Sequence, residues 1–141
     1  MSIWFRSYSI DEINQRGANT LIDFLDIEFT EIGDDYLIAK MPVADKVKQP
    51  IGIVHGGANV VLAETVASTA ANLVVNIAEY YCVGLEININ HIRSVREGTV
   101  WGLARPLHLG RSTQVWHIEL RDEQQRITAI SRMTASVLAR R

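Results

Sequence analysis

The run HGGANVVLAETVAS, from His55 to Ser68, holds the residues of this chain best suited to do chemistry. Glu64 is the one charged residue between Ala58 and Ala78, and Val60, Val61, Leu62, Ala63, Val66 and Ala67 flank it. A carboxylate buried among aliphatic side chains, with no cation within a helical turn, is costly, and proteins keep such groups mostly where a reaction needs them. Ser68 stands at i+4 from Glu64, on the same helix face, where its hydroxyl can orient the acid or an incoming water. His55-Gly56-Gly57 comes just before. Backbone N–H groups at a helix start lack intrahelical partners, and glycines let a ligand approach the main chain. Such donors stabilise the charge that develops on a carbonyl oxygen during acyl transfer, each worth about 2.7–4 kcal/mol. Gln49, upstream, can donate its amide to the same carbonyl or hold the attacking water. The set therefore reads as a base or nucleophile paired with an oxyanion donor.

Other chemistries find little footing. The histidines at 55, 91, 108 and 117 have no metal-ligand spacing, HExxH is absent, and the chain has one cysteine. No serine sits in a GxSxG elbow, and neither GxGxxG nor a P-loop is present, so neither a metal nor a separate cofactor is expected. Arg93, Arg96 and Arg111 lie in turns where they would serve equally as phosphate ligands or as ordinary solvated side chains. Net charge is −2 and charged residues are 21% of the chain, which speaks against nucleic acid and anionic membrane as partners. The long apolar stretch has the length of a membrane span, but Asn59, Glu64, Asn72 and Asn76 would then sit in hydrocarbon. The N-terminus has no charged-then-apolar signal pattern, and lone Cys82 suits a reducing compartment, so a cytoplasmic location is expected.

The elements that must hold these residues follow from period and punctuation. At 141 residues the chain fits one domain spanning 1–141. Ser9-Ile10-Asp11-Glu12 reads as a capping box opening a short helix that stops near Gly17, with a second helical turn over Asn19–Phe24. Leu25–Thr30 and Tyr36–Met41 alternate as strands joined at Gly33-Asp34-Asp35. The stretch around Glu64 has small or aliphatic residues on nearly every side, which predicts a helix buried in the middle of the fold. Val83–Ile92, Thr99–Leu109, Thr113–Asp122 and Arg126–Leu138 then read as strands, with Val83, Leu85, Ile87 and Ile89 on one face. Their short turns predict antiparallel neighbours. The pattern is α+β, a long helix wrapped by a curved antiparallel sheet. One small sheet leaves part of that helix bare, so a second copy is expected to cover the rest.

The run QPIGIVHGGANVVLAETVAS, continued through GLEININHIRSVREG and PLHLGRSTQVWHIELRDEQ, resembles the hotdog-fold acyl-CoA thioesterases of the 4-hydroxybenzoyl-CoA and phenylacetate-pathway type. It is most similar to the branch acting on 1,4-dihydroxy-2-naphthoyl-CoA in menaquinone or phylloquinone synthesis, and to its enterobactin-pathway proofreading relatives. The resemblance implies Glu64 as base or nucleophile and the Gly56 N–H, beside His55, as the carbonyl-polarising donor. It also places Gln49 and Ser68 against water or substrate. His91, Arg93, Gly110, Arg111 and Ser112 would lie near the pantetheine arm and nucleotide of the substrate, the coenzyme A being part of that substrate. Ser94 departs from the family, whose members often carry proline after the arginine. The resemblance further implies a site between two protomers, in a homodimer or in a homotetramer built from two dimers. Two other readings stay open. A hotdog dehydratase or hydratase would pair the acid with His55 or His91, and a non-catalytic hotdog dimer would only bind acyl groups.

Overall fold

The computed structural model describes residues 1–141. One long helix, α3 (Gly56–Val74), packs on a six-stranded antiparallel sheet, following two short helices, α1 (Ile10–Gln15) and α2 (Leu21–Phe24). The strands are β1 (Glu28–Ile32), β2 (Leu37–Pro42), β3 (Tyr80–His91), β4 (Thr99–Leu109), β5 (Thr113–Arg121) and β6 (Ile127–Ala139). Their order across the sheet is β1-β2-β4-β5-β6-β3. This is the α+β architecture expected, with the helix against the sheet.

Helix α3 buries one face. Leu62, Ala63, Val66, Ala67, Ala70 and Ala71 recur at spacings of three and four and are fully buried. The alanines let the helix lie close to the strands. Leu62 fills space against them, and burial of a leucine side chain stabilises by about 1.5–3 kcal/mol. The sheet answers with Val100, Ala104, Trp116, Ile118, Leu120 and Met133, all buried. In β5 the alternation is strict: Gln114, Trp116, Ile118 and Leu120 point to the helix while their neighbours are half-buried. Trp116 is held from two sides, donating to Gln114 Oε1 at 2.9 Å and stacking on Trp4 at 6.4 Å between ring centroids.

The capping box at Ser9 and Glu12 forms in both directions, at 3.2 and 2.8 Å. The first strand starts later than its alternation predicts. Leu25 ends α2 and Asp26 takes φ 57°, so pairing begins only at Glu28, although Leu25, Ile27 and Phe29 all turn inward. Helix α3 is also shorter than the apolar stretch around it. Past Val75, the Asn76 side chain accepts from the Ala78 N–H and its carbonyl accepts from Glu79 and Tyr80, which turns the chain into β3.

Two expectations about β3 are corrected. It does not neighbour β4: the Ile92–Gly98 connection carries the chain across the end of the sheet, so β4 pairs with β2 while β3 pairs with β6. Nor does it present a single face. Register shifts between Gly84 and Glu86, and the extra residue throws Val83 and Leu85 outward while Ile87 and Ile89 pack on the core. A one-residue slip moves side chains to the opposite face, so alternation in sequence does not survive a bulge. Near its start, β3 is tied to the helix by Asn72, whose side chain accepts from the Cys82 N–H at 2.8 Å and donates to the Cys82 carbonyl at 3.0 Å.

Candidate active site

The start of α3 leaves one backbone donor free. His55 is the N-cap, and its Nδ1 accepts from the Gly57 N–H at 2.8 Å. Its carbonyl accepts from Ala58 and Asn59, at 2.9 and 3.2 Å. The Gly56 N–H, first in the helix, has no acceptor in the protein, as expected for the outermost group of a helix start. His55 itself is exposed and acts on the helix end rather than on the cleft.

A cleft of about 290 Å³ opens at this point, lined by Gln49, Gly56, Asn59, His91, Arg93 and Ser94 among others. Gln49 accepts from the Ile51 N–H through its side-chain oxygen. Only an oxygen can accept there, which leaves the amide nitrogen of Gln49 as the donor available to a ligand. The His91 ring lies over Gly56: a methyl group on Gly56 would stand 3.0 Å from His91 Nε2. Behind it sits Asn59, 7% exposed, with Nδ2 3.4 Å from His91 Nδ1 and its own oxygen unpaired.

Glu64 lies elsewhere. Eight residues separate it from Gly56 along a helix rising 1.5 Å per residue, so the two stand about 12 Å apart within one chain. Glu64 lines a second cleft, of about 420 Å³, with Leu21, Ile22, Val60, Val61, Thr65, Ser68 and Thr69. Here the structure corrects an expectation. Glu64 is half-buried rather than enclosed: its carboxyl reaches the edge strand at Gly84, while Val60, Val61, Thr65 and Ser68 beside it are likewise only partly covered. It is unpaired as expected, with neither a hydrogen bond nor an ion pair in the protomer. Ser68 shares its face and its cleft, as the i+4 spacing requires.

The residues assigned to the nucleotide side divide. His91 and Arg93 stand at the Gly56 cleft. Gly110, Arg111 and Ser112 form the β4–β5 turn, where the Ser112 carbonyl accepts from Val137 at 2.9 Å, whereas His91 pairs with Ala129. The two groups are therefore eight residue steps apart along β6, about 26 Å of strand. Within one chain they do not meet.

Two residues of the site region escaped notice as chemistry in the sequence. Asn59 supplies a polar side chain to the buried face of an aliphatic helix. Gly84, an isolated glycine in a strand, is the local sign of a bulge or a close approach, and here it faces Glu64. No group of histidine, cysteine, aspartate and glutamate side chains is arranged to hold a metal ion. No helix is long and apolar enough to cross a membrane.

Comparison with known proteins gives the family. Residues 51–129 match the thioesterase superfamily model. The chain is 50% identical over 136 residues to the 1,4-dihydroxy-2-naphthoyl-CoA hydrolase of Escherichia coli, covering 96% of this chain and 99% of that one. It is 43% identical to a proofreading thioesterase of Cronobacter turicensis, covering 96% of this chain and 98% of that one. The crystal structure of a mutant thioesterase from Pseudomonas aeruginosa superposes with a TM-score of 0.97 at 42% identity, over 99% of this chain and 100% of that one. The helix laid on an antiparallel sheet is thus the hotdog fold, and this chain belongs to the thioesterase superfamily as an enzyme of thioester hydrolysis.

Proposed function

We propose that this acyl-CoA thioesterase hydrolyses an aromatic acyl-CoA at a site shared by two protomers. The observation that carries the reading is the unpaired Gly56 N–H, set about 12 Å from Glu64 of its own chain. Reacting atoms must come within about 3–3.5 Å, so an oxyanion held at Gly56 is out of reach of that Glu64. A second copy supplies the missing acid. Strand β3 supports this: it is an edge strand of twelve residues with Val83 and Leu85 exposed, Leu85 at 67%, and Ile92 exposed just past its end. Long apolar edges of this kind pair with another chain. Antiparallel pairing of two β3 strands sets the His91 end of one beside the Tyr80 end of the other. That arrangement faces Gly56, Gln49, His91 and Arg93 of one protomer with Glu64, Ser68 and the Gly110–Ser112 turn of the partner subunit.

In this site the Gly56 N–H and the Gln49 amide donate to the thioester oxygen. The carboxylate of Glu64 either attacks the carbonyl carbon or takes a proton from a water that attacks it. Carboxylate attack expels the coenzyme A thiolate and leaves a mixed anhydride that water opens. Water attack passes through a tetrahedral oxyanion that collapses with loss of the same thiolate. Ser68 orients the acid or the water, and the arginines take the phosphates of the leaving group. The acyl group occupies the Glu64 cleft. Leu21, Ile22, Val60 and Val61 give it an aliphatic wall, while Thr65, Ser68 and Thr69 add hydroxyls, a lining that suits a ring bearing polar substituents such as a dihydroxynaphthoyl group.

The test is Glu64→Gln, assayed by thiol release from benzoyl-CoA and naphthoyl-CoA. Turnover falls by about 10²–10⁴-fold with the melting curve unchanged. Wild-type rates in that variant would remove the acid from the mechanism and leave an acyl-binding dimer. Single turnover in oxygen-18 water separates the two routes, since label enters Glu64 only if the carboxylate attacks. A panel of benzoyl-, naphthoyl- and fatty acyl-CoAs decides the acyl class.

A further inference from the structure

We infer that Gly84 is a positioning residue for this hydrolysis: its missing side chain is the space in which the Glu64 carboxylate rests. The inference depends on the catalytic reading of Glu64 given above. A Cβ placed on Gly84 would stand 2.6 Å from Glu64 Oε2, 3.3 Å from its Cδ and 3.7 Å from Met133 Sδ. The first distance is one that real Cβ atoms do not adopt, while the last is ordinary contact. The carboxylate thus lies directly on the main chain of β3, and nothing else crowds the position.

Backbone conformation does not account for the glycine. Positive φ is confined to Gly52 and Gly98 among the glycines, so Gly84 has a conformation open to any residue. Nor is this a requirement of core packing. Gly102 in β4 shows that different case, where an added Cβ would meet Leu120 Cδ2 at 3.2 Å and Leu62 Cγ at 3.4 Å. At Gly84 the sensitive neighbour is the tip of a flexible acid that can swing aside at small cost in stability. What it loses by swinging is its aim. Its direction follows from regular pairing: Cys82 and Gly84 share the face toward α3, and the register shift comes only after Gly84, before Glu86.

The experiment compares Gly84→Ala with Glu64→Gln and Gly102→Ala, using benzoyl-CoA as the probe and thermal melting as the check on folding. Displacing a reacting group by about 1 Å costs on the order of 10²-fold, so Gly84→Ala is expected to lose about 10–100-fold in kcat. Its KM is expected to stay within about twofold, since binding precedes the role of the acid. Gly102→Ala is expected to shift melting and leave kcat in place, which separates loss of aim from a general cost of adding a methyl to the sheet. Wild-type kcat in Gly84→Ala beside an inactive Glu64→Gln overturns the role of Gly84 and leaves the hydrolytic reading standing. Wild-type kcat in Glu64→Gln overturns both. If Gly84→Ala melts early, the Glu64→Ala background decides: recovered melting identifies the carboxylate as the clash, and unrecovered melting refutes it.

Discussion

At the scale of single residues, the start of α3 shows how one side chain sorts equivalent backbone groups. His55 accepts from Gly57 with its ring and from Ala58 and Asn59 with its carbonyl, so only the Gly56 N–H remains to meet a ligand. The role of His55 is thereby structural first. His55→Ala is expected to destabilise the protein by about 0.5–2 kcal/mol in urea denaturation, the cost of losing an N-cap, and His55→Asn to recover most of it. Equal loss in both variants would show that the ring contributes something other than the cap. Cys82 is a second case where surroundings set reactivity. Burial pushes its thiol up to about 11, and its sulfur lies against the Ala71 carbonyl at 3.5 Å. It is therefore a packing residue, not a nucleophile.

At the scale of elements, the tight β5–β6 turn is organised around an acid, Asp122, whose partners all lie within the turn. Asp122 is buried, which opposes its charge, but the Arg126 backbone N–H, the Arg126 guanidinium and the Gln124 N–H outweigh burial and hold its carboxyl below the usual range. The distances are 3.0 Å to each N–H and 2.8 Å to Arg126 Nε. A carboxylate with a lowered folded-state pKa contributes stability that is complete above its unfolded value, here 3.8, and is lost as pH falls through the folded value. The difference in urea midpoint between the wild type and Asp122→Asn is therefore expected to be constant from neutral pH to about pH 5 and to shrink in more acid solution. A difference that held constant down to pH 2 would mean that the turn depends on shape and not on charge.

At the scale of the whole molecule, the separation of Gly56 from Glu64 makes a prediction that no single chain can satisfy. Gly56→Pro removes the free N–H while keeping a residue favoured at the first helical position. It should be inactive alone, as should Glu64→Gln. Co-refolded in equal amounts, half the dimers carry one of each, and each such dimer has one site with both groups intact. Activity is expected to return to roughly a quarter of wild type. No recovery, with mixed dimers verified by mass, would place both groups in one chain and overturn the shared site.

Much of this protein was legible from its residues in order. The capping box, the β1–β2 hairpin and the four long strands are local matters, and local pattern records them. The expected burial of Glu64 was half right. Hydrophobicity along α3 does not record which of its faces the sheet covers. The tertiary structure decided that, burying the face with Leu62, Ala63, Val66 and Ala67 and leaving Glu64 half-buried. It alone also decided that β3 runs beside β6, that a bulge turns Leu85 outward, and that Gly84 lies under the carboxylate. Those are contacts between segments far apart in the chain, set by register and crossing, and no local period encodes them.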